Sequence, residues 1–238
     1  MMRTGLLGAA IAGAAVALAP LAAGTTSART DAAGIEIARL VVASPVRARP
    51  TSQSGLLARI AAVRPLTLQQ TALPVLRRAD DGRGGGWLLV RLPDRPAGRV
   101  GWIPAANARV TRSPWRVVVS RGTRQASVYY GGRLHSRFAV VVGTPSTPTP
   151  PGHFFVVEHV PQEPGSILGP WALATSAFSR VLQEFNGGPG QIALHGRAGV
   201  LALDPLGTAH SHGCIRFANG VIRRLAALLS NGTPVDVV

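Results

Sequence analysis

Short apolar runs alternate along this chain with clusters of Gly, Pro, Asp and Asn. That rhythm predicts strands joined by tight turns rather than an array of helices. After a short linker at 29–36, Ile37 to Val42 reads as a strand, and Val46 to Pro50 carries turn and edge chemistry. Leu66 to Leu68 and Leu73 to Leu76 are further apolar pieces. Ala79 to Gly86 is a turn by composition, Trp87 to Leu92 a strand, Pro93 to Gly98 a second turn, and Val100 to Ile103 a closing strand. Residues 37–110 therefore predict a small all-β barrel.

Residues 111–116 (TRSPWR) read as a link to a second unit. Strands are predicted from Val117 to Val119, Ala126 to Tyr130 and Phe138 to Val142, with Gly131-Gly132 as a hairpin turn. Gly143 to Gly152 is too rich in proline for regular structure and runs into a strand at Phe154 to Val157. Trp171 to Thr175 predicts a strand, Ser179 to Phe185 a helical turn, and Asn186 to Gly190 a loop. Gln191 to Leu194 is a buried-type strand that delivers His195-Gly196. Val221, Ile222, Leu225, Leu228 and Leu229 share one helical face, with Asn219 as N-cap and Asn231-Gly232 as stop. Thr233 to Val238 would close the sheet. The predicted class is mainly β with a few short helices.

Charge and the N-terminus narrow the setting. The net charge is +15, every basic side chain is arginine, and there is no lysine. Such a surface favours anionic partners. Arg3, the apolar run Gly5 to Ala23 and the small residues up to Ala28 read as a secretory signal peptide over 1–28. The run is nearly long enough to span a bilayer, so an uncleaved anchor is the alternative. Export argues against nucleic acid and directs the arginines toward acidic wall polymers or a membrane surface, with a solvated basic surface that has no specific partner as the alternative.

Export also sharpens the meaning of Cys214, the one cysteine of the chain. It cannot pair within its own chain, and a leftover cysteine in an exported protein points to a reactive thiol or an intermolecular bridge. A buried structural cysteine is the plain alternative. Cys214 sits in Ser211-His212-Gly213-Cys214-Ile215-Arg216, with His210 beside it and His195 upstream. A thiol next to an imidazole suits covalent acyl transfer. A following helix start favours a thiolate, and amides at Gly213 and Cys214 offer an oxyanion hole. Metal binding by His195, His210, His212 and Cys214 is the competing reading, but no second cysteine and no CxxC or HxxxH spacing supports it. No metal or cofactor is expected. His135, His153 and His159 read as surface or packing residues.

Gly86 to Pro104 (GWLLVRLPDRPAGRVGWIP) resembles the bacterial SH3-like domain, in which Trp87 and Trp102 would line a groove or fill the core. Ser211 to Arg216, with His195-Gly196, resembles the L,D-transpeptidase catalytic (YkuD) domain. Gly143-Thr144-Pro145 with Pro148 to Phe154 is similar to that family's PTPxGxF segment, and Gly169 to Ala172 and Asn186 to Gly188 also fit. The resemblance covers 115–238. It implies a β-rich sandwich, Cys214 as nucleophile, His195 as base, and a Gly196 carbonyl that orients the histidine. It implies Ser211, His212, Gly213 and Arg216 as residues of the pocket and oxyanion site.

The implied substrate is a peptidoglycan tetrapeptide stem. The implied reaction is thioester formation with loss of D-alanine, then transfer to an amine of a neighbouring stem to give a 3→3 cross-link. Carbapenem-type inhibitors are implied as ligands. An L,D-carboxypeptidase hydrolysing the same bond and a non-catalytic wall-binding module are the alternatives. Two departures from the pattern stand out: many relatives carry an acidic residue near Val221, absent here, and His210 replaces a small or apolar residue.

Overall fold

The computed structural model describes residues 34–80, 85–184 and 188–238. The signal-peptide assignment at 1–28, most of the linker at 29–36, the heart of the turn at 79–86, and Phe185 to Gly187 lie outside the described residues. Within them, no helix is long and apolar enough to cross a membrane.

The first half contributes β1 (Ile35–Leu40), β2 (Ser44–Arg47), β3 (Leu56–Ile60), β4 (Ala72–Asp80), β5 (Gly86–Arg91), β6 (Val100–Pro104) and β7 (Ala108–Ser113). These form one sheet in the order β3-β2-β6-β5-β4-β1-β7. Alternation sets the inward face: Leu88 and Val90 on β5 and Ile103 on β6 are buried in its core. Trp87 and Trp102 are both buried, and the Arg77 guanidinium lies over the Trp102 ring at 5.4 Å. Leu66 and Leu68 form no strand; both are exposed in a turn, where Leu68 takes φ +57°.

The expected link at 111–116 is not a link. Ser113 still pairs with Ile35 in β7, and Trp115 already pairs with Tyr130, so Pro114 alone separates the two sheets. The cause is local: a proline has no N–H for the ladder, so the strand run breaks there and nowhere else in TRSPWR.

The second half contributes β8 (Trp115–Ser120), β9 (Gln125–Tyr130), β10 (Arg133–Ala139), β12 (Gly152–Pro161), β13 (Trp171–Phe178), β14 (Gln191–His195), β16 (Ile215–Arg216) and β17 (Pro234–Val237). Their order is β10-β9-β8-β17-β12-β13-β14-β16. A separate parallel pair joins β11 (Val142–Gly143) and β15 (Ala209–Ser211). The C-terminal strand does not sit at an edge. It enters the middle of the sheet, parallel to β8 and antiparallel to β12.

Strand β12 holds the two halves together. Phe154 and Val156 point into the core of the second sheet, whereas Phe155 and Val157 point into the core of the first. A strand buried on both faces reads as an unbroken apolar run, which is what Phe154 to Val157 is. Polar contacts continue the seam. The buried Glu158 accepts from the N–H and hydroxyl of Thr67 at 2.8 and 2.6 Å, and Gln69 and His159 exchange two bonds at 2.8 and 3.0 Å.

Helix α1 (Asn219–Leu228) buries Ile222 and Leu225 in the second core and leaves Arg223 and Arg224 exposed. Its N-cap is Ala218, with no side-chain cap, rather than Asn219. Asn219 Oδ1 instead accepts the Arg197 amide at 2.8 Å. The expected helical turn from Ser179 is a bend, in which Ser179 Oγ accepts the amides of Val181 and Leu182 at 3.2 and 2.9 Å. A serine hydroxyl that takes these amides offers the backbone an alternative to a helix.

Candidate active site

Strands β14 and β16 run parallel, with Leu194 opposite Ile215 and His195 opposite Arg216. Leu194 and Ile215 point into the core. By the two-residue period, Ala193, His195, Cys214 and Arg216 share the opposite face. There a cavity of about 290 Å³ opens, lined by His195, Cys214 and Arg216 among others. His210 and His212 are exposed at its wall, and Ile167, Leu168 and Leu182 supply apolar lining.

His195 is 2% exposed. Its Nδ1 lies 2.6 Å from the Gly196 carbonyl. A carbonyl only accepts, so Nδ1 carries the proton and Nε2 keeps its lone pair. Burial holds the ring down to about 4, and the Arg216 cation pushes the same way against the Gly196 and Leu168 carbonyls. The imidazole is therefore neutral at neutral pH and available as a base.

Cys214 is half-buried. Burial pushes its thiol above the ordinary value, and the Ala193 amide, 3.5 Å from Sγ, together with Arg216, only partly offsets this. The helix start lies several residues beyond Cys214, so its pull toward a thiolate is modest: α1 begins at Asn219, after β16, and desolvation dominates. At rest the cavity is lined by a neutral thiol and a neutral imidazole.

The loop that presents Cys214 is fixed from within. Ser211 is fully buried; its Oγ donates to the Cys214 carbonyl at 2.5 Å and accepts the Gly213 amide at 3.1 Å. Thr149 Oγ1 donates to the Gly213 carbonyl at 2.8 Å and accepts the Gly143 amide at 2.9 Å. Gly213 takes φ +115°, and a Cβ there would stand 2.9 Å from Ile192 Cδ1. The positive φ is what requires glycine here, since the Ile192 methyl is a side-chain end that can move aside.

Two pocket assignments change accordingly. Ser211 and Gly213 lie beneath the cavity rather than on its wall, and the Gly213 amide is spent on Ser211 Oγ. An oxyanion would meet the Cys214 amide first. His212 and Arg216 do line the cavity, as does His210.

The structure adds residues that the motif reading passed over. Asp204 lines the cavity, its Oδ2 accepts from Arg216 Nη1, and its Oδ1 lies 3.4 Å from His210 Nδ1. A signal was available, since Asp204 is the only acidic residue between Glu184 and Asp236. Thr149 lay inside the PTPxGxF-like segment without a role. Among the described residues, no group of three or more His, Cys, Asp or Glu side chains is placed to hold a metal ion.

Comparison with known proteins identifies the family. The family model of the YkuD L,D-transpeptidase catalytic domain matches residues 114–237. The protein named YkuD of Bacillus licheniformis is 30% identical over 168 residues, covering 71% of this chain and 87% of the relative. YkuD of Bacillus subtilis is 27% identical over 124 residues, covering 52% and 66%. Among solved structures, the L,D-transpeptidase LdtMt1 in complex with imipenem overlaps 65% of this chain and 91% of its own, at 17% identity and a TM-score of 0.43. From the family model and the Bacillus licheniformis relative, the chain belongs to the YkuD family of L,D-transpeptidase catalytic domains.

Proposed function

We propose that the protein is an exported cysteine L,D-transpeptidase acting on peptidoglycan stem peptides, with Cys214 as nucleophile and His195 as base. One observation carries this reading. His195 at the end of β14 and Cys214 just ahead of the neighbouring β16 open into one cavity, with Nδ1 of His195 tied to the Gly196 carbonyl so that Nε2 is left to accept a proton.

Because both groups are neutral at rest, proton transfer accompanies attack rather than preceding it. His195 Nε2 takes the thiol proton as Sγ bonds to the carbonyl carbon of the third stem residue. The tetrahedral oxyanion is met by the Cys214 amide. The C–N bond to D-alanine breaks, the amine leaves with the proton from the imidazolium, and a thioester remains. An amine of a neighbouring stem then attacks the thioester, gives its proton to His195, and releases Cys214, which regains a proton. Water in place of the amine gives the carboxypeptidase outcome.

The N-terminal apolar run supports export, and the +15 charge supports contact with acidic wall polymers or membrane surface. Residues 37–110, SH3-like by the Gly86 to Pro104 pattern, are assigned to wall contact. The complex of LdtMt1 with imipenem supports a carbapenem as probe.

The purified protein and its Cys214→Ala variant are incubated with a carbapenem, and intact mass is measured. One adduct on the wild type and none on the variant is expected, followed by D-alanine release from a tetrapeptide. A folded protein with a free thiol and no adduct would overturn the enzyme reading in favour of a wall-binding module.

A further inference from the structure

Arg216 is a buried cation set directly beside the presumed base. Its side chain is 6% exposed, and it faces His195 across the β14–β16 ladder. A buried charge is tolerated only when paired. Among the described residues, the guanidinium donates to one carboxylate, Asp204, and its Nε is buried with no hydrogen-bond partner. Among them, Asp204 is the group that balances this cation.

Asp204 comes from a segment that forms part of the cavity lining. That segment starts at Arg197, whose guanidinium donates to the main-chain carbonyl of Asp204 and whose amide is held by Asn219. Its short helical turn, Gly199–Ala202, sends Leu201 to the cavity wall. The Ala198 amide bonds the carbonyl of Ile167, another lining residue, at 2.9 Å. The Asp204 carboxylate, 27% exposed, is where this segment meets Arg216.

We propose that Asp204 is a positioning residue: it neutralises Arg216 and ties its own segment to β16, thereby setting the electric field at Cys214 and His195. Its consequence for turnover rests on the transpeptidase reading, but its test does not. The charged and titratable groups around the thiol are His195 from β14, Arg216 from β16, Asp204 from the segment after Arg197, and His210 and His212 from the strand and loop before Cys214. Removing the Asp204 charge leaves an uncompensated cation, which favours thiolate. Removing the Arg216 charge leaves an uncompensated carboxylate, which disfavours it.

The test is the pH dependence of iodoacetamide alkylation of Cys214 in the full chain. Asp204→Asn should move the alkylation midpoint down by about one pH unit, the scale of a close opposite charge. Arg216→Met should move it up, and Asp204→Glu should restore the wild-type value. Mere loosening of the cavity would wet the thiol and move both variants down, and that shared direction, or no movement in Asp204→Asn, overturns the proposal.

Since Asp204→Asn strips a buried cation of its partner, the double variant Asp204→Asn/Arg216→Met is melted beside it. It should be the more thermally stable of the two, and equal or lower stability also overturns the proposal. Opposite shifts without a carbapenem adduct would sink the transpeptidase reading alone. An adduct without opposite shifts would sink this one alone.

Discussion

The main-chain amide of Ala193 points at Cys214 Sγ from 3.5 Å, across from a histidine whose ring is already tied down by Gly196. A single weak donor does not offset the desolvation of the thiol, so the proton stays on sulfur until a substrate carbonyl arrives.

This fixes the acid limb of the reaction. The base is lost only when His195 is protonated, and burial holds its value to about 4. Carbapenem acylation should hold steady from neutral pH to about pH 5 and fall as pH drops through about 4. Second-order rate constants from intact-mass time courses check this. A limb centred near 6.5 would mean that the imidazole is solvated.

The same histidine makes stability depend on pH. In the unfolded chain it binds a proton near 6.5, in the folded chain near about 4. Between those values the unfolded state holds more protons, so stability is unaffected above 6.5 and falls as pH falls toward 4. The loss attributable to this group is roughly 3 kcal/mol. Urea unfolding of the wild type and of His195→Gln at matched pH should show the wild type losing more across this window. Parallel curves would contradict it.

Ser211 acts under the nucleophile rather than beside it. Ser211→Ala removes both the 2.5 Å bond to the Cys214 carbonyl and the 3.1 Å bond from the Gly213 amide. Two buried backbone groups lose their partner, at about 1–3 kcal/mol each when unsatisfied. Denaturant titration should show destabilisation in that range, and acylation should slow while Cys214 stays titratable by a thiol reagent. Unchanged stability would show that water replaces the hydroxyl.

Phe155 belongs by strand to the second sheet and by packing to the first, and it is fully buried. Phe155→Ala should cost about 3–5 kcal/mol. A fragment beginning at Trp115 would expose Phe155 and Val157 and should bind a hydrophobic dye that the full chain does not. A dye-silent fragment would show that the two halves fold apart.

Several features were legible in the residues because their causes are local. The strands over 86–91, 100–104 and 125–130 follow from alternation and turn residues, and the α1 face follows from spacing. Cys214, His195 and the Gly196 carbonyl follow from a short motif. The break at Pro114 was also local but was obscured by the polar residues around it.

Long-range pairing decided the rest. Periodicity says which residues share a face but not which strand lies beside them. Nothing in Pro234 to Val237 announced a central strand, and nothing in Phe154 to Val157 said that its faces belong to two cores. The protonation of the site is equally nonlocal: the thiol and imidazole are displaced by the atoms packed round them, and no order of residues expresses desolvation. Asp204 reaches Arg216 only because the chain between them turns back on itself. Sequence by itself determined which chemical groups are present, and the tertiary structure alone decided which of them are dry, paired or free.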